Sequence, residues 1–189
     1  MSTRSVVSVF GGSSAQPGDK AWISAAAFAG RMAEAGVAVA TGGYGGIMEA
    51  ASQGASQAGG LVIGVTCDDI ENWRAVRPNR WIAEEIRVPR LRDRLVRLIE
   101  MGQALTAFPG GVGTLSEVAL TWSMLQTGSL SPRPLLLVGE AWREVLRTFL
   151  HTSSAYLRPD DAGWLTFEPD GEHAADTLLR HLAIAPRSN

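Results

Sequence analysis

Short runs of β-branched and other apolar residues alternate along this chain with longer stretches that carry apolar residues at helical spacing. Such alternation is typical of βαβ units, whose parallel strands form a sheet with helices on both faces. The 189 residues match the size of one domain, and no linker or repeat divides them. We therefore predict a single α/β domain over residues 1–189, with a Rossmann-like parallel sheet.

Turn residues and the spacing of apolar side chains delimit the predicted elements. Gly36, for example, stands where a helix C-cap is expected. Residues 67–78 are predicted to be irregular. Strands are predicted at residues 5–10, 37–40, 61–65, 82–88, 104–108, 134–138 and 164–167, and helices at 20–35, 46–58, 90–101, 113–125, 140–151 and 172–182.

Composition excludes several classes of function. The formal net charge of −2 predicts neither a nucleic-acid nor a membrane partner. A single cysteine, Cys67, excludes an intrachain disulfide and a cysteine-based zinc site, and we predict no metal and no cofactor. Neither a signal-peptide core nor an apolar run of about 20 residues, the length of a membrane span, is present, so a cytoplasmic protein is expected.

Lysine is almost absent. The chain has 17 lysine and arginine residues, and Lys20 is the only lysine among them. The base composition of the genome can explain this preference for arginine. Pyridoxal phosphate enzymes hold their cofactor as a Schiff base on a lysine. Because Lys20 lies in a polar stretch at a predicted helix start, we do not expect pyridoxal chemistry.

Three strand-to-helix junctions are rich in glycine and small polar residues, and parallel strands bring all three to one edge of the sheet. Glycine lets the backbone approach a ligand, and a helix N-terminus attracts anions. We call residues 11–14, 42–46 and 109–114 the first, second and third loops. The residues predicted to bind substrate or phosphate are Gly12, Ser13, Ser14, Gly42, Gly43, Gly45, Gly46, Glu49, Gly110, Gly111, Gly113 and Thr114.

The loops match no common nucleotide motif. No Gly-Lys-Ser/Thr occurs, which disfavours a Walker A site, and no complete G-x-G-x-x-G supports a dinucleotide site. Tight turns without a ligand are the alternative interpretation of any one such loop. Three of them at one sheet edge favour an anion site.

Two charged residues stand near the third loop. Glu117 follows Thr114 by three residues, where a carboxylate also stabilises a helix N-terminus without any catalytic role. Arg94 belongs to a run with Arg90, Arg92 and Arg97, which indicates either a solvated basic helix face or a fork that binds phosphate or carboxylate.

The segment from Pro109 to Glu117, PGGVGTLSE, resembles the PGGxGTxxE motif of the LOG ("Lonely guy") family. These are cytokinin riboside 5′-monophosphate phosphoribohydrolases and their bacterial relatives, many of them labelled "possible lysine decarboxylase". The resemblance covers most of the chain. VFGGSS at residues 9–14 is similar to the family's VFCGSS, TGGYGGIMEA at 41–50 to TGGGPGIMEA, and LRDRL at 91–95 to MHERK.

This resemblance implies a Rossmann-like fold, a homodimer, and hydrolysis of the N-glycosidic bond of a nucleoside 5′-monophosphate such as AMP or a cytokinin riboside monophosphate. The family's catalytic arginine and glutamate correspond to Arg94 and Glu117. Its phosphate-binding loop corresponds to Gly110, Gly111, Gly113 and Thr114. Free base and ribose 5-phosphate would be the products.

The chain departs from the family pattern at several positions. Leu95 replaces the lysine of MHERK, and Arg92 replaces its histidine. Tyr44 replaces the third glycine of the second loop, Leu120 replaces a second acidic residue, and the tryptophan that follows is shifted to Trp122. The preferred base therefore does not follow from the resemblance.

Other functions remain open from the sequence alone. A protein of this fold that binds or senses a nucleotide without turnover would share the loops but would not need Arg94 and Glu117. A transferase that passes ribose 5-phosphate to an acceptor would need a second pocket. Four aromatic residues could stack on the base or pack in the core: Tyr44, Trp73, Trp81 and Trp122.

Overall fold

A parallel sheet of seven strands runs through the part of the chain that the computed structural model describes, residues 5–184. The order of the strands is β4-β3-β2-β1-β5-β6-β7, and every neighbouring pair is parallel. The strands are β1 Val6–Phe10, β2 Ala38–Thr41, β3 Val62–Cys67, β4 Glu84–Val88, β5 Ala104–Ala107, β6 Leu135–Val138 and β7 Leu165–Glu168. This confirms the predicted fold class.

Helices connect the strands, and those predicted from the sequence begin and end within two residues of their predicted limits. Two short 3₁₀ turns, Ser154–Tyr156 and Asp161–Trp164, precede β7. The helices are α1 Lys20–Glu34, α2 Ile47–Gln57, α3 Asp68–Trp73, α4 Leu91–Met101, α5 Val112–Thr127, α6 Glu140–Thr152 and α7 Gly171–Ile184.

The prediction is wrong for the segment that follows β3. The sequence predicts irregular structure over residues 67–78, but Asp68–Trp73 form α3. Carboxylates in its first turn stabilise the positive end of this helix. Six residues are too few to show the apolar periodicity by which a helix is recognised in a sequence.

The core lies in two layers, one on each face of the sheet. Alternate residues of a strand point to opposite faces: in β6, Leu136 and Val138 join the cluster under α1, α2 and α7, while Leu135 and Leu137 join the cluster under α4, α5 and α6. Fully buried Phe28 and Phe108 meet edge to face in the first cluster, at a ring separation of 5.7 Å. Helices therefore cover both faces, as predicted.

The order of the strands reverses at the centre of the sheet. From β1 the chain winds outward through β2 and β3 to β4, then returns through α4 to β5, on the other side of β1. In such sheets the crevice at the reversal point, beyond the carboxyl ends of the strands, is where ligands bind. The first loop follows β1 and the third follows β5, so both flank this point. Within residues 5–184 no helix is long and apolar enough to cross a membrane.

Close packing of α1 on α2 yields a test of the fold. A Cβ at Gly54 of α2 would overlap the backbone carbonyl of Ala26 in α1, whereas a Cβ at Gly30 would lie at an ordinary 3.5 Å from Gly54 O. We expect Gly54→Ala to destabilise by about 1–3 kcal/mol through overpacking. The matched variant Gly30→Ala should stabilise by up to about 1 kcal/mol, because alanine is the better helix former. Urea unfolding measures both, and equal stabilisation by the two variants would contradict this packing.

Candidate active site

The structure brings the two predicted catalytic residues into direct contact. Arg94, one turn into α4, donates from Nη1 to Oε1 of Glu117, one turn into α5, over 2.6 Å. The side chains are only 7% and 6% exposed. Of the two interpretations of the arginine run, the carboxylate fork therefore applies to Arg94, while Arg90, Arg92 and Arg97 are exposed.

Three further groups surround the Arg94 guanidinium. Its Nε donates to the carbonyl of Val65 at 3.3 Å, and Nη2 lies 3.6 Å from the sulfur of Met48. The backbone of Gly42 lies so close that a Cβ there would overlap Nη2. The position of Arg94 is thus determined by β3, α2 and the second loop as well as by Glu117.

Burial dominates the electrostatics of Glu117. Desolvation raises the pKa of its carboxyl above the ordinary value for glutamate, and the charge and hydrogen bond of Arg94 oppose that shift. A carboxylate with a raised pKa is a stronger base than an exposed glutamate. The pair therefore combines a fixed cation with a carboxyl group suited to proton transfer.

Helix α4 is itself anchored by α3, which the sequence did not reveal. The carboxylate of Asp69 accepts from the backbone N–H of Leu91 at 2.9 Å and so satisfies one of the free N–H groups at the start of α4. Arg87 of β4 binds both carboxylate oxygens of Glu71 in α3, at 3.1 and 3.0 Å. These contacts fix the helix that presents Arg94.

Backbone hydrogen bonds join the three loops at Gly12. Its N–H donates to Pro109 O at 3.0 Å, and its carbonyl accepts from the N–H of Ile47 at 2.9 Å. Gly46 has φ of +70°, and a Cβ on it would collide with the backbone of the first loop. The predicted convergence of the loops is therefore present, but both backbone groups of Gly12 bind other loops.

The third loop leaves an open helix end. Gly111 precedes α5 and brings no side chain to cap it, and the first backbone bond of the helix is from Leu115 N to Gly111 O at 3.0 Å. Gly110, Gly111 and Gly113 are exposed, while Thr114 is buried beneath Gly110. Backbone N–H groups and the helix dipole here suit an anion.

The remaining predicted residues divide into two groups. Gly42 and Gly43 are buried, and Asn79 donates to the carbonyl of Gly43 from its backbone at 2.8 Å and from its side chain at 3.2 Å. Those nearer the surface are Ser13 and Ser14, which are exposed, and Gly45 and Glu49, which are half-buried.

Two of the four aromatic candidates for base stacking lie in the interior. The hydroxyl of Tyr44 donates to Cys67 O at 3.1 Å and accepts from Cys67 N at 2.9 Å, and burial raises its pKa to about 12. The indole N–H of buried Trp122 donates to Asp161 O at 2.9 Å. Both therefore have a packing role.

Trp73, one of the four aromatic candidates, pairs with Arg74, which was not predicted as a site residue and which reaches the first loop. Arg74, just after α3, donates to Ser13 Oγ at 3.1 Å, and its guanidinium lies 4.0 Å from the ring centroid of Trp73. Trp73 is 72% exposed. No local pattern in the sequence indicates this contact, because Arg74 and Ser13 are 61 residues apart.

A separate cleft of about 320 Å³ opens between β6, β7 and α7, beside Arg133, Trp164 and His181. None of the predicted site residues lines it. Convergent charged groups and loop geometry, rather than cleft size, therefore identify the candidate site.

Removing Arg94 tests the electrostatic account. Arg94→Ala leaves the buried Glu117 carboxylate without its cation, and we expect a loss of about 3–5 kcal/mol in the free energy of unfolding near pH 7. Because the variant raises the pKa of Glu117 further, the loss should shrink as the pH falls toward about 4.3, the unfolded value for glutamate.

Urea unfolding of Arg94→Ala at several pH values measures this dependence. The control Arg92→Ala removes an exposed arginine from the same helix and should change stability by less than about 0.5 kcal/mol. A loss that does not vary with pH would contradict the assignment of the cost to Glu117.

Comparison with known proteins shows the family to which this chain is similar. The model of the family described as "Possible lysine decarboxylase" matches residues 48–178, more than half of the chain. An uncharacterized protein of Archaeoglobus fulgidus is 32% identical over 115 residues, which cover 57% of this chain and 68% of that protein.

Solved structures of the same fold include two proteins described by their binding of a cofactor. The molybdenum cofactor binding protein of Rippkaea orientalis superposes with a TM-score of 0.73 at 22% identity, covering 95% of this chain and 98% of that one. The molybdenum cofactor carrier protein of Chlamydomonas reinhardtii gives 0.70 at 22% identity, covering 96% and 99%. At this identity the likeness shows the fold.

Proposed function

Because this chain belongs to the family described as possible lysine decarboxylase, the LOG family, and buries an arginine–glutamate pair beside an open helix N-terminus, we propose that it hydrolyses nucleoside 5′-monophosphates. The bond broken is the N-glycosidic bond, and the products are a free base and ribose 5-phosphate. AMP and cytokinin riboside monophosphates are the proposed substrates. The buried pair is the observation that carries this proposal.

Lysine decarboxylation does not fit the chain despite the family's description. Lys20 is the only lysine, and it is the exposed first residue of α1. A lysine that forms a Schiff base with a substrate or cofactor must lie in the active site. Lys20 is exposed and lies outside the three loops.

Glu117 has the properties that the bond cleavage requires. An N-glycosidic bond breaks through a sugar with positive charge near its anomeric carbon, and a nearby carboxylate can stabilise that charge or activate water. Oε1 of Glu117 accepts the hydrogen bond from Arg94, and among the described residues no group donates a hydrogen bond to Oε2 of Glu117. Oε2 is therefore the oxygen we assign to the sugar or to the attacking water.

Arg94 would assist the departure of the base. A leaving purine gains negative charge, and a fixed guanidinium can stabilise that charge without reorganising. The N–H groups at the start of α5, with Gly110, Gly111, Gly113 and Thr114, would hold the 5′-phosphate. Remote binding of the phosphate would orient the bond toward Glu117.

Release of free base tests the proposal. Purified protein incubated with AMP or with N6-isopentenyl-AMP should release adenine or its N6-substituted form, followed by chromatography. Glu117→Gln should lower the rate by about 10²-fold or more, because the amide neither stabilises the cation nor takes a proton. Glu144→Gln, an exposed position on α6, is the matched control and should keep the rate of the unaltered protein. Full activity of Glu117→Gln would refute the assignment.

Binding without turnover is the second candidate. Two solved neighbours are described as molybdenum cofactor binding and carrier proteins, and Leu95 stands where the family has a lysine. In that case AMP or a molybdenum cofactor would bind, as calorimetry can measure, and no base would be released. The same chromatographic assay therefore separates the two candidates.

We also propose a homodimer, formed through apolar side chains exposed near the site. Val112 and Leu115 of α5 are 82% and 43% exposed, and Leu91 of the adjoining α4 is 44% exposed. Large exposed apolar groups of this kind mark interaction surfaces when they cluster.

Sedimentation of charge variants tests the dimer. Leu115→Glu should convert the dimer to a monomer, because a carboxylate would have to be desolvated in the interface. Val145→Glu, at an exposed apolar position of α6, should leave the dimer intact. A monomeric unaltered protein, or a dimer in Leu115→Glu, would refute this interface.

A further inference from the structure

Gly42, directly after β2, lies against the guanidinium of Arg94. A Cβ at this position would overlap Nη2, and would lie 2.6 Å from Cζ of Arg94 and 2.7 Å from the sulfur of Met48. These distances are far inside van der Waals contact. The space that a side chain would fill at residue 42 is the space that Arg94 occupies.

The guanidinium of Arg94 lies in a slot formed by four groups. Three of them contact its nitrogens: Val65 O at 3.3 Å, the sulfur of Met48 at 3.6 Å and the carboxylate of Glu117 at 2.6 Å. The bare Cα of Gly42 is the fourth.

Backbone conformation does not explain this glycine. The φ of Gly42 is not positive, whereas its neighbour Gly43 has a φ of +83°. Alanine can therefore adopt the backbone of Gly42 without strain. The atoms that its methyl group would meet are the ends of flexible side chains, Arg94 and Met48, so the methyl group displaces side chains rather than the fold.

We propose that Gly42 is a positioning residue that sets Arg94 against Glu117, rather than a glycine that contacts the substrate phosphate. This inference rests on the proposed hydrolysis, in which Arg94 and Glu117 act on the bond. Gly42 is buried, and the guanidinium occupies the space beside its Cα. Its role differs from the phosphate contact predicted from the sequence.

The test compares two glycine-to-alanine variants, one beside Arg94 and one outside the site. In Gly42→Ala the methyl group pushes the guanidinium aside, and kcat for base release should fall by about 10²-fold with KM nearly unchanged, as expected for a catalytic group misplaced by about 1 Å. Gly163→Ala, in the exposed 3₁₀ turn before β7, is the matched control. A Cβ there would meet no atom within 4 Å, and the φ of Gly163 is not positive.

A second measurement does not depend on turnover. Titration of the Glu117 carboxyl by ¹³C NMR, with Glu117→Gln to assign the signal, should show a higher pKa in Gly42→Ala, because the displaced cation stabilises the carboxylate less. Gly163→Ala should leave this pKa unchanged. In an Arg94→Lys background, where no guanidinium fills the slot, adding Gly42→Ala should cause little further change.

These outcomes separate the positioning role from the proposed reaction. If the unaltered protein releases no base but the pKa of Glu117 rises in Gly42→Ala alone, hydrolysis is refuted and positioning is supported. An unchanged kcat and pKa in Gly42→Ala, or a raised KM at constant kcat, would overturn the positioning role. If Gly42→Ala does not fold, recovery of the fold in the double variant with Arg94→Lys supports the contact, and failure to recover overturns it.

Discussion

The salt bridge between Arg94 and Glu117 is the interaction on which the site depends. Each charge alone would be costly to bury, because water solvates ions far better than a protein interior does. At a distance of 2.6 Å, with side-chain exposures of 7% and 6%, the attraction between the two charges offsets the cost of burying them. The same contact joins α4 to α5. The surrounding structure accommodates the pair: Gly42 leaves room for the guanidinium, Val65 accepts from it, and Asp69 anchors the start of α4.

The backbone at Gly12 provides the second constraint. One residue joins the loops after β1, β2 and β5 through hydrogen bonds to Pro109 and Ile47. These loops lie at the point where the strand order reverses, so the fold itself creates a crevice there. The charged pair and the open end of α5 lie at this crevice, and the proposed hydrolysis of a nucleoside monophosphate requires both, a carboxylate for the sugar and an anion site for the phosphate.

Much of the architecture was predictable because it depends on local patterns. Apolar periodicity located the strands and longer helices, and Gly36, at φ of +79°, ends α1 as its residue type suggests. Helix α3 was missed because six residues are too few to show a helical spacing of apolar side chains, and none of its residues is buried. The structure also moves Tyr44 from a candidate base contact to a buried hydroxyl bonded to Cys67.

The site was predictable in residue type but not in geometry. The motif PGGVGTLSE singled out Glu117, and the similarity of LRDRL to MHERK singled out Arg94, but neither pattern gives the contacts of the two side chains. The position of Arg94 depends on tertiary contacts with Met48, Val65 and Gly42. Arg74 escaped for the same reason, since its contact with Ser13 joins residues 61 positions apart.

The central claim is that a nucleoside 5′-monophosphate binds with its sugar against Glu117. A crystal structure of Glu117→Gln soaked with AMP tests it most directly, because the slowed variant should hold the intact nucleotide. The account predicts the phosphate at the N-terminus of α5, beside Gly111 and Gly113, with the anomeric carbon next to the side chain of residue 117. A nucleotide bound elsewhere, or bound here with the base and not the sugar facing residue 117, would contradict it.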